Sequence, residues 1–69
     1  MTTLDLSKNQ ISNIGPIANL TNLTDLELSD NKINDISNLK ELKNLTYLTL
    51  TDNEIEDISV LSSFTNLKS

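Results

Sequence analysis

The 69-residue chain has no cysteine and no histidine, a single glycine (Gly15), a single proline (Pro16) and two aromatic residues, Tyr47 and Phe64. Without cysteine there can be no disulfide and no thiolate metal site, and the redox compartment cannot be read. Without histidine or cysteine the chain lacks the usual general base and the thiolate nucleophile. One glycine cannot build a phosphate-cradling loop. No stretch is long enough to cross a bilayer, so membrane insertion is not expected. No enzyme and no cofactor are expected from this composition.

Basic charge is also scarce. Five basic residues face ten acidic ones, for a net charge of −5. Nucleic acid is therefore not an expected partner, because phosphate binding needs a basic face. The charge is graded along the chain. Residues 2–23 carry Asp5 and Lys8 and balance, residues 24–45 carry −2, and residues 46–67 carry −4 from Asp52, Glu54, Glu56 and Asp57. Plain solubility accounts for such acidity.

What the chain does have is a repeat. Leu26-Glu27-Leu28-Ser29-Asp30-Asn31-Lys32-Ile33 reads L-x-L-x-x-N-x-I, and the pattern recurs at Leu4–Ile11 and Leu48–Ile55, 22 residues away on either side. A fixed period in this range is the signature of a solenoid. Apolar columns run through whole units, as in Ile14/Ile36/Ile58, Ile17/Leu39/Leu61, Leu20/Leu42/Phe64 and Leu23/Leu45/Leu67, with Met1 joining the last. Only Ala18, Tyr47 and Val60 among the apolar residues fall outside these columns. The units are 2–23, 24–45 and 46–67, and residues 1–69 form one domain, read as a fragment of a longer array.

The spacing within a unit gives its local structure. Leu4 and Leu6 are two apart, as on a strand, which turns Thr3, Asp5 and Ser7 the other way, to solvent. From Ile11 to Leu26 the apolar spacing is three, which suits 3₁₀ turns better than an α-helix. A true helical turn is most expected at Asn38–Leu45. Gly15-Pro16 is a local turn variant where the later units have Ser37-Asn38 and Ser59-Val60. Each unit is thus a short strand and a turn-rich return, and stacking the units makes the shared core. Asn9, Asn31 and Asn53 form a structural ladder. A buried asparagine is tolerable only when its amide bonds backbone groups, here those of its own loop and of the next.

These units resemble leucine-rich repeats of the 22-residue class. The wording L-T-N-L-T-x-L-x-L-S-x-N-x-I-x-x-I is especially similar to bacterial internalin-type repeats, and related repeats occur in phosphatase-regulatory proteins. The resemblance implies an α/β-type solenoid. Its short parallel strands line the concave face of an arc, and 3₁₀ or irregular turns form the convex face.

Solenoids bind proteins on such concave faces. The outward strand positions stack as Thr3/Asp25/Tyr47 and Asp5/Glu27/Thr49, with Asp30 and Asp52 at the strand exits. Tyr47 is an aromatic anchor of the kind frequent at interfaces, ringed by Asp25, Glu27 and Asp30. The expected role is a protein-binding scaffold for a partner with a basic patch. A structural spacer or idealised segment without a ligand is the rival, and a phosphatase-type regulatory module a third reading. Asp52–Asp57 is rich in oxygen ligands of the kind calcium takes, but its acids project in different directions, so no metal is expected. Asn19-Leu20-Thr21, Asn22-Leu23-Thr24 and Asn44-Leu45-Thr46 match a glycosylation pattern, yet Asn22, Asn44 and Asn66 are a repeat column. Met1–Gln10 is polar and in repeat register, unlike a signal peptide, so compartment is not assigned, and a longer parent could be secreted. Uncapped end units are expected to self-associate.

Overall fold

The computed structural model describes residues 2–64. Met1, Asn66, Leu67 and Lys68, which the sequence places in repeat columns or in the charge tally, lie outside the described residues. Three strands, β1 (Thr3–Asp5), β2 (Asp25–Glu27) and β3 (Tyr47–Thr49), form a parallel sheet in the order β1-β2-β3. Thr3 pairs with Asp25 and Asp25 with Tyr47, and the other positions follow in the same step. The sequence period is therefore also the strand register. The strands line one face of the stack and the return segments the other.

Each strand is followed by a 3₁₀ turn, at Gly15–Asn19, Ser37–Glu41 and Ser59–Ser63. The spacing of three explains their bonding. Leu39 N–H donates to Ile36 O, Leu42 N–H to Leu39 O and Leu45 N–H to Leu42 O at 2.9–3.2 Å. The residues that face the core thus also close the i→i+3 backbone bonds. Ile14, Ile17, Leu20 and Leu23 do the same in the first unit. The helical turn expected at Asn38–Leu45 is instead this same short 3₁₀ turn. An α-helical step of 100° would carry Leu42 and Leu45 off the buried face, where both are now buried.

The chain leaves each strand through a residue in the left-handed region, Lys8 (φ 61), Asp30 (φ 59) and Asp52 (φ 58). None is glycine, so local bonds must hold the conformation. The asparagine that follows supplies them. Asn31 Nδ2 donates to Leu28 O (2.9 Å), Ser29 O (3.2 Å) and Leu6 O (3.0 Å), while its Oδ1 accepts Ile11 N–H (3.1 Å). Asn53 repeats the pattern on Leu50 O, Thr51 O and Leu28 O, accepting Ile33 N–H at 3.0 Å. The second loop each asparagine serves is the preceding one, where the sequence reading expected the next. Asn9 bonds only its own loop, through Leu6 O and Ser7 O, and is exposed.

Eleven apolar residues form the core, from Ile14 to Leu48, and Asn31 is the buried polar residue among them. Burial within a column is uneven. Ile14 and Ile36 are 1% exposed, whereas Ile58 is 63% exposed and does not join the core as its column suggested. Ile55 and Asn53, also expected in the core, are half-buried. Side chains of the isoleucine column pack onto the unit that follows, and none of the described residues follows the third unit.

Two stability outcomes follow. Asn31→Ala orphans the Ile11 N–H, at about 1–3 kcal/mol, and takes one of two side-chain donors from Leu28 O and Leu6 O, which keep Asn53 and Asn9. Asn13→Ala removes a single exposed bond, Gly15 N–H to Asn13 Oδ1 at 2.9 Å, worth about 0.5–1.5 kcal/mol. Urea midpoints should fall further for Asn31→Ala, and equal midpoints would refute the clamp. Gly15→Ser should raise stability by about 0.4–1 kcal/mol by restricting the unfolded chain. Its new Cβ would lie 3.2 Å from Asn13 Oδ1, but Ser37 and Ser59 already hold this position with the same turn bond at 2.9 Å.

Candidate functional site

The three strands are only three residues long, so each presents its central leucine inward and its two flanking residues outward. In-register pairing then sets Thr3, Asp25 and Tyr47 side by side, and Asp5, Glu27 and Thr49 beside them. These six form one patch. Asp30 and Asp52 stand off it in the left-handed exit turns and are exposed. Tyr47 is 38% exposed and Asp25 and Glu27 are half-buried. Thr49 departs from the solvent-facing expectation, because its Oγ1 is buried with no hydrogen-bond partner among the described residues.

Asp5 and Glu27 are opposed across β1 and β2, and their environments separate their titrations. Ser7 donates both its hydroxyl (2.6 Å) and its N–H (3.0 Å) to Asp5 Oδ1, which holds the Asp5 carboxyl below the ordinary range. Glu27 is pushed up, first by a hydrogen bond shared with Asp5 and then by the negative charges of Asp5 and Asp25. The pair concentrates negative charge on the strand face. Among the described residues no group of three or more histidine, cysteine or carboxylate side chains could hold a metal ion, and no helix is long and apolar enough to cross a membrane. A hollow of about 530 Å³ opens beyond β3, walled by Leu48, Thr49, Leu50, Ile55, Ile58 and Leu61. It lies at the end of the stack and shares Thr49 and Asp52 with the candidate surface.

The patch is built on 22-residue units whose strands, asparagines and 3₁₀ returns superpose by sequence. The sequence matches the family described as Leucine Rich repeats (2 copies) over residues 1–41, and that described as Leucine Rich repeat over residues 41–62. The chain belongs to the leucine-rich repeat family. Its fold is similar to that of an internalin C2 from Listeria monocytogenes, with 48% identity and a TM-score of 0.93 over 97% of this chain and 30% of that one. An internalin (inlF) from the same organism matches with 42% identity and a TM-score of 0.84, over 96% of this chain and 19% of that one. This leucine-rich repeat chain is thus internalin-like and spans less than a third of either matched structure. No curated protein matches it.

One column of this repeat had a role that the sequence reading missed. That column is Asn13, Asp35 and Asp57. Each accepts the N–H two residues on, Gly15, Ser37 and Ser59 respectively, at 2.9 Å, and so starts the 3₁₀ turn. The signal was the recurring Asp-Ile-Ser of Asp35–Ser37 and Asp57–Ser59, a side-chain-to-backbone turn pattern. Thr24 and Thr46 likewise bond Thr2 O and Thr24 O with their hydroxyls at 3.3 Å.

The carboxyls give opposite pH dependences. Asp35 and Asp57 lie below the ordinary range because the backbone N–H of Ser37 and of Ser59 stabilise their charged forms. Their contribution is present above the unfolded value and lost as pH falls through the lower folded value. Glu27 is raised, so its contribution is present below its unfolded value and lost as pH rises through the folded one. Thermal unfolding should therefore show Glu27→Gln gaining on the wild type between about pH 4 and pH 7. Below about pH 4, Asp35→Asn should lose less melting temperature than the wild type. Parallel melting curves for all three proteins across this range would refute both assignments.

Proposed function

We propose that the chain is a protein-interaction module whose concave strand face engages a partner carrying a basic patch. Tyr47 is the anchor, Asp25 and Glu27 are the charged contacts, Thr3, Asp5 and Thr49 complete the surface, and Asp30 and Asp52 extend it. One observation carries this reading. An exposed tyrosine lies in register beside Asp25, next to an Asp5–Glu27 pair in which a shared hydrogen bond, and then the Asp5 charge, raise the Glu27 carboxyl. Like charges facing each other across strands cost stability, and a cation from a partner would relieve that cost. Aromatic side chains with charged neighbours are the usual anchors of such contacts.

The match to larger internalins supports reading residues 1–69 as a single-domain segment of a longer array. In such an array the strand face would continue in both directions, and this patch would be one part of it.

The test is selection of lysine- and arginine-containing peptides on the folded chain, followed by affinity measurement. Tyr47→Ala should weaken binding by at least tenfold, the ~1.4 kcal/mol of a modest hot spot. Glu27→Lys should weaken it further and flatten its salt dependence, since exposed charges are screened over ~10 Å at 0.1 M salt. Binding that survives both changes undiminished would remove the concave face from the interaction.

A further inference from the structure

Resting on the strand-face reading above, we infer that the basic side chain taken there is arginine, held edge-on by the Asp25 carboxylate and laid flat on the Tyr47 ring. The choice among the three carboxylates of the face follows from what each already does. Asp5 Oδ1 accepts the Ser7 hydroxyl at 2.6 Å and the Ser7 N–H at 3.0 Å. Glu27 faces Asp5 across β1 and β2 and shares a hydrogen bond with it. Asp25 is half-buried, yet its side chain makes no hydrogen bond or ion pair among the described residues.

Asp25 stands on the middle strand, between Thr3 and Tyr47. Both of its neighbours in the sheet are therefore described, and neither donates to it. This holds whatever unit precedes β1 or follows β3. A carboxylate partly withdrawn from water with no donor is unfavourable. A fork of two N–H groups satisfies both of its oxygens at once.

The aromatic neighbour decides between the two basic side chains. Strands in a sheet lie about 4.8 Å apart. Tyr47, paired with Asp25 and 38% exposed, is thus within reach of any cation seated on that carboxylate. A guanidinium is planar and weakly hydrated, and it stacks on an aromatic ring while its edge still bonds a carboxylate. An ammonium is compact and strongly hydrated, and offers no flat face to the ring. Glu27 stands two residues along β2, about 6.6 Å away, and adds negative charge near the contact without a second free fork.

The test is an NMR titration of the isotope-labelled intact chain with the peptide acetyl-Gly-Gly-Arg-Gly-Gly-amide. The same peptide with lysine or citrulline at its centre is titrated in parallel. The arginine peptide should shift the amide signals of Asp25 and Tyr47 and bind at least about fivefold more tightly than the lysine peptide, through the bidentate bond and the stacking contact. Citrulline keeps the shape and loses the charge, and should bind most weakly. Asp25→Asn should erase the preference for arginine and Tyr47→Leu should reduce it. Glu27→Gln should lower both affinities and keep the preference. All three positions face outward on the strands, and the amide spectra show directly whether each variant is folded. Arginine and lysine peptides of equal affinity overturn the assignment of arginine and leave the broader reading of a basic partner standing. Shifts from neither peptide at β2 and β3 overturn both. A preference that persists in Asp25→Asn, or that Glu27→Gln abolishes as completely, overturns the assignment to Asp25.

Discussion

The structure depends on a polar side chain placed inside an apolar stack. Each unit must leave its strand through a left-handed residue that is not glycine, and the turn points carbonyl groups inward, out of reach of water. Asn31 satisfies two carbonyls of its own turn and, in the same geometry, a carbonyl and an N–H of the unit before it. Turn conformation and unit stacking are therefore one constraint. Asn9 makes the bonds within its own turn with no preceding unit described, but the carbonyl and N–H of the other side are bonded only where units stack. That coupling makes a chain of three-residue strands cooperative, where an isolated strand pair of this length would not persist.

Hydrogen bonds are divided unevenly around the unit. On the strand side they run between units, through the ladder and the asparagines. On the return side they run mainly within a unit, as i→i+3 bonds between residues of the apolar columns. Asn44 Nδ2 to Thr21 O, at 3.3 Å, is an exception that crosses units there. The convex side is consequently held chiefly by apolar contact, and its burial depends on having a following unit. Leu39 is buried against the third unit, whereas Leu61 in the same column is half-buried. The small core is concentrated in the middle of the stack for this reason.

Most of this was legible because one step of 22 residues governs both sequence and register. The columns gave the strands, their parallel order and the 3₁₀ returns, since a spacing of three has a direct backbone meaning. Three things were not legible. The direction in which asparagine reaches depends on strand handedness and on the tilt of the exit turn, which no spacing encodes. The capping by Asn13, Asp35 and Asp57 looked like a polar surface column, because an acceptor two residues before a turn N–H is short, exposed and locally ordinary. The exposure of Ile58 could not follow from its column, because identical residues in a finite stack have different numbers of neighbours. For the candidate surface, register placed Tyr47 beside Asp25 from the sequence alone. The unequal titration of Asp5 and Glu27 required the Ser7 hydroxyl, whose rotamer only the coordinates supply.

Translation also imposes a cost that shapes the surface. Every side chain lands beside its counterpart in the next unit, so a column conserved in charge sign is a column of repulsion. Asp5 facing Glu27 is one such like-charge pair, and Thr49 ends that column with a neutral residue. Lys8 above Asp30 is favourable by register, and Asp30 above Asp52 is not. Each substitution that breaks a column changes the charge from one unit to the next. The stack thereby acquires an electrostatic direction, from neutral to −4. Two other features point along the same axis: asparagines reach backward and the isoleucine column packs forward. On the strand face itself the charge peaks at the middle unit, where Asp25 and Glu27 stand, with Tyr47 to one side and Thr3 to the other, so a partner would meet two unlike flanks.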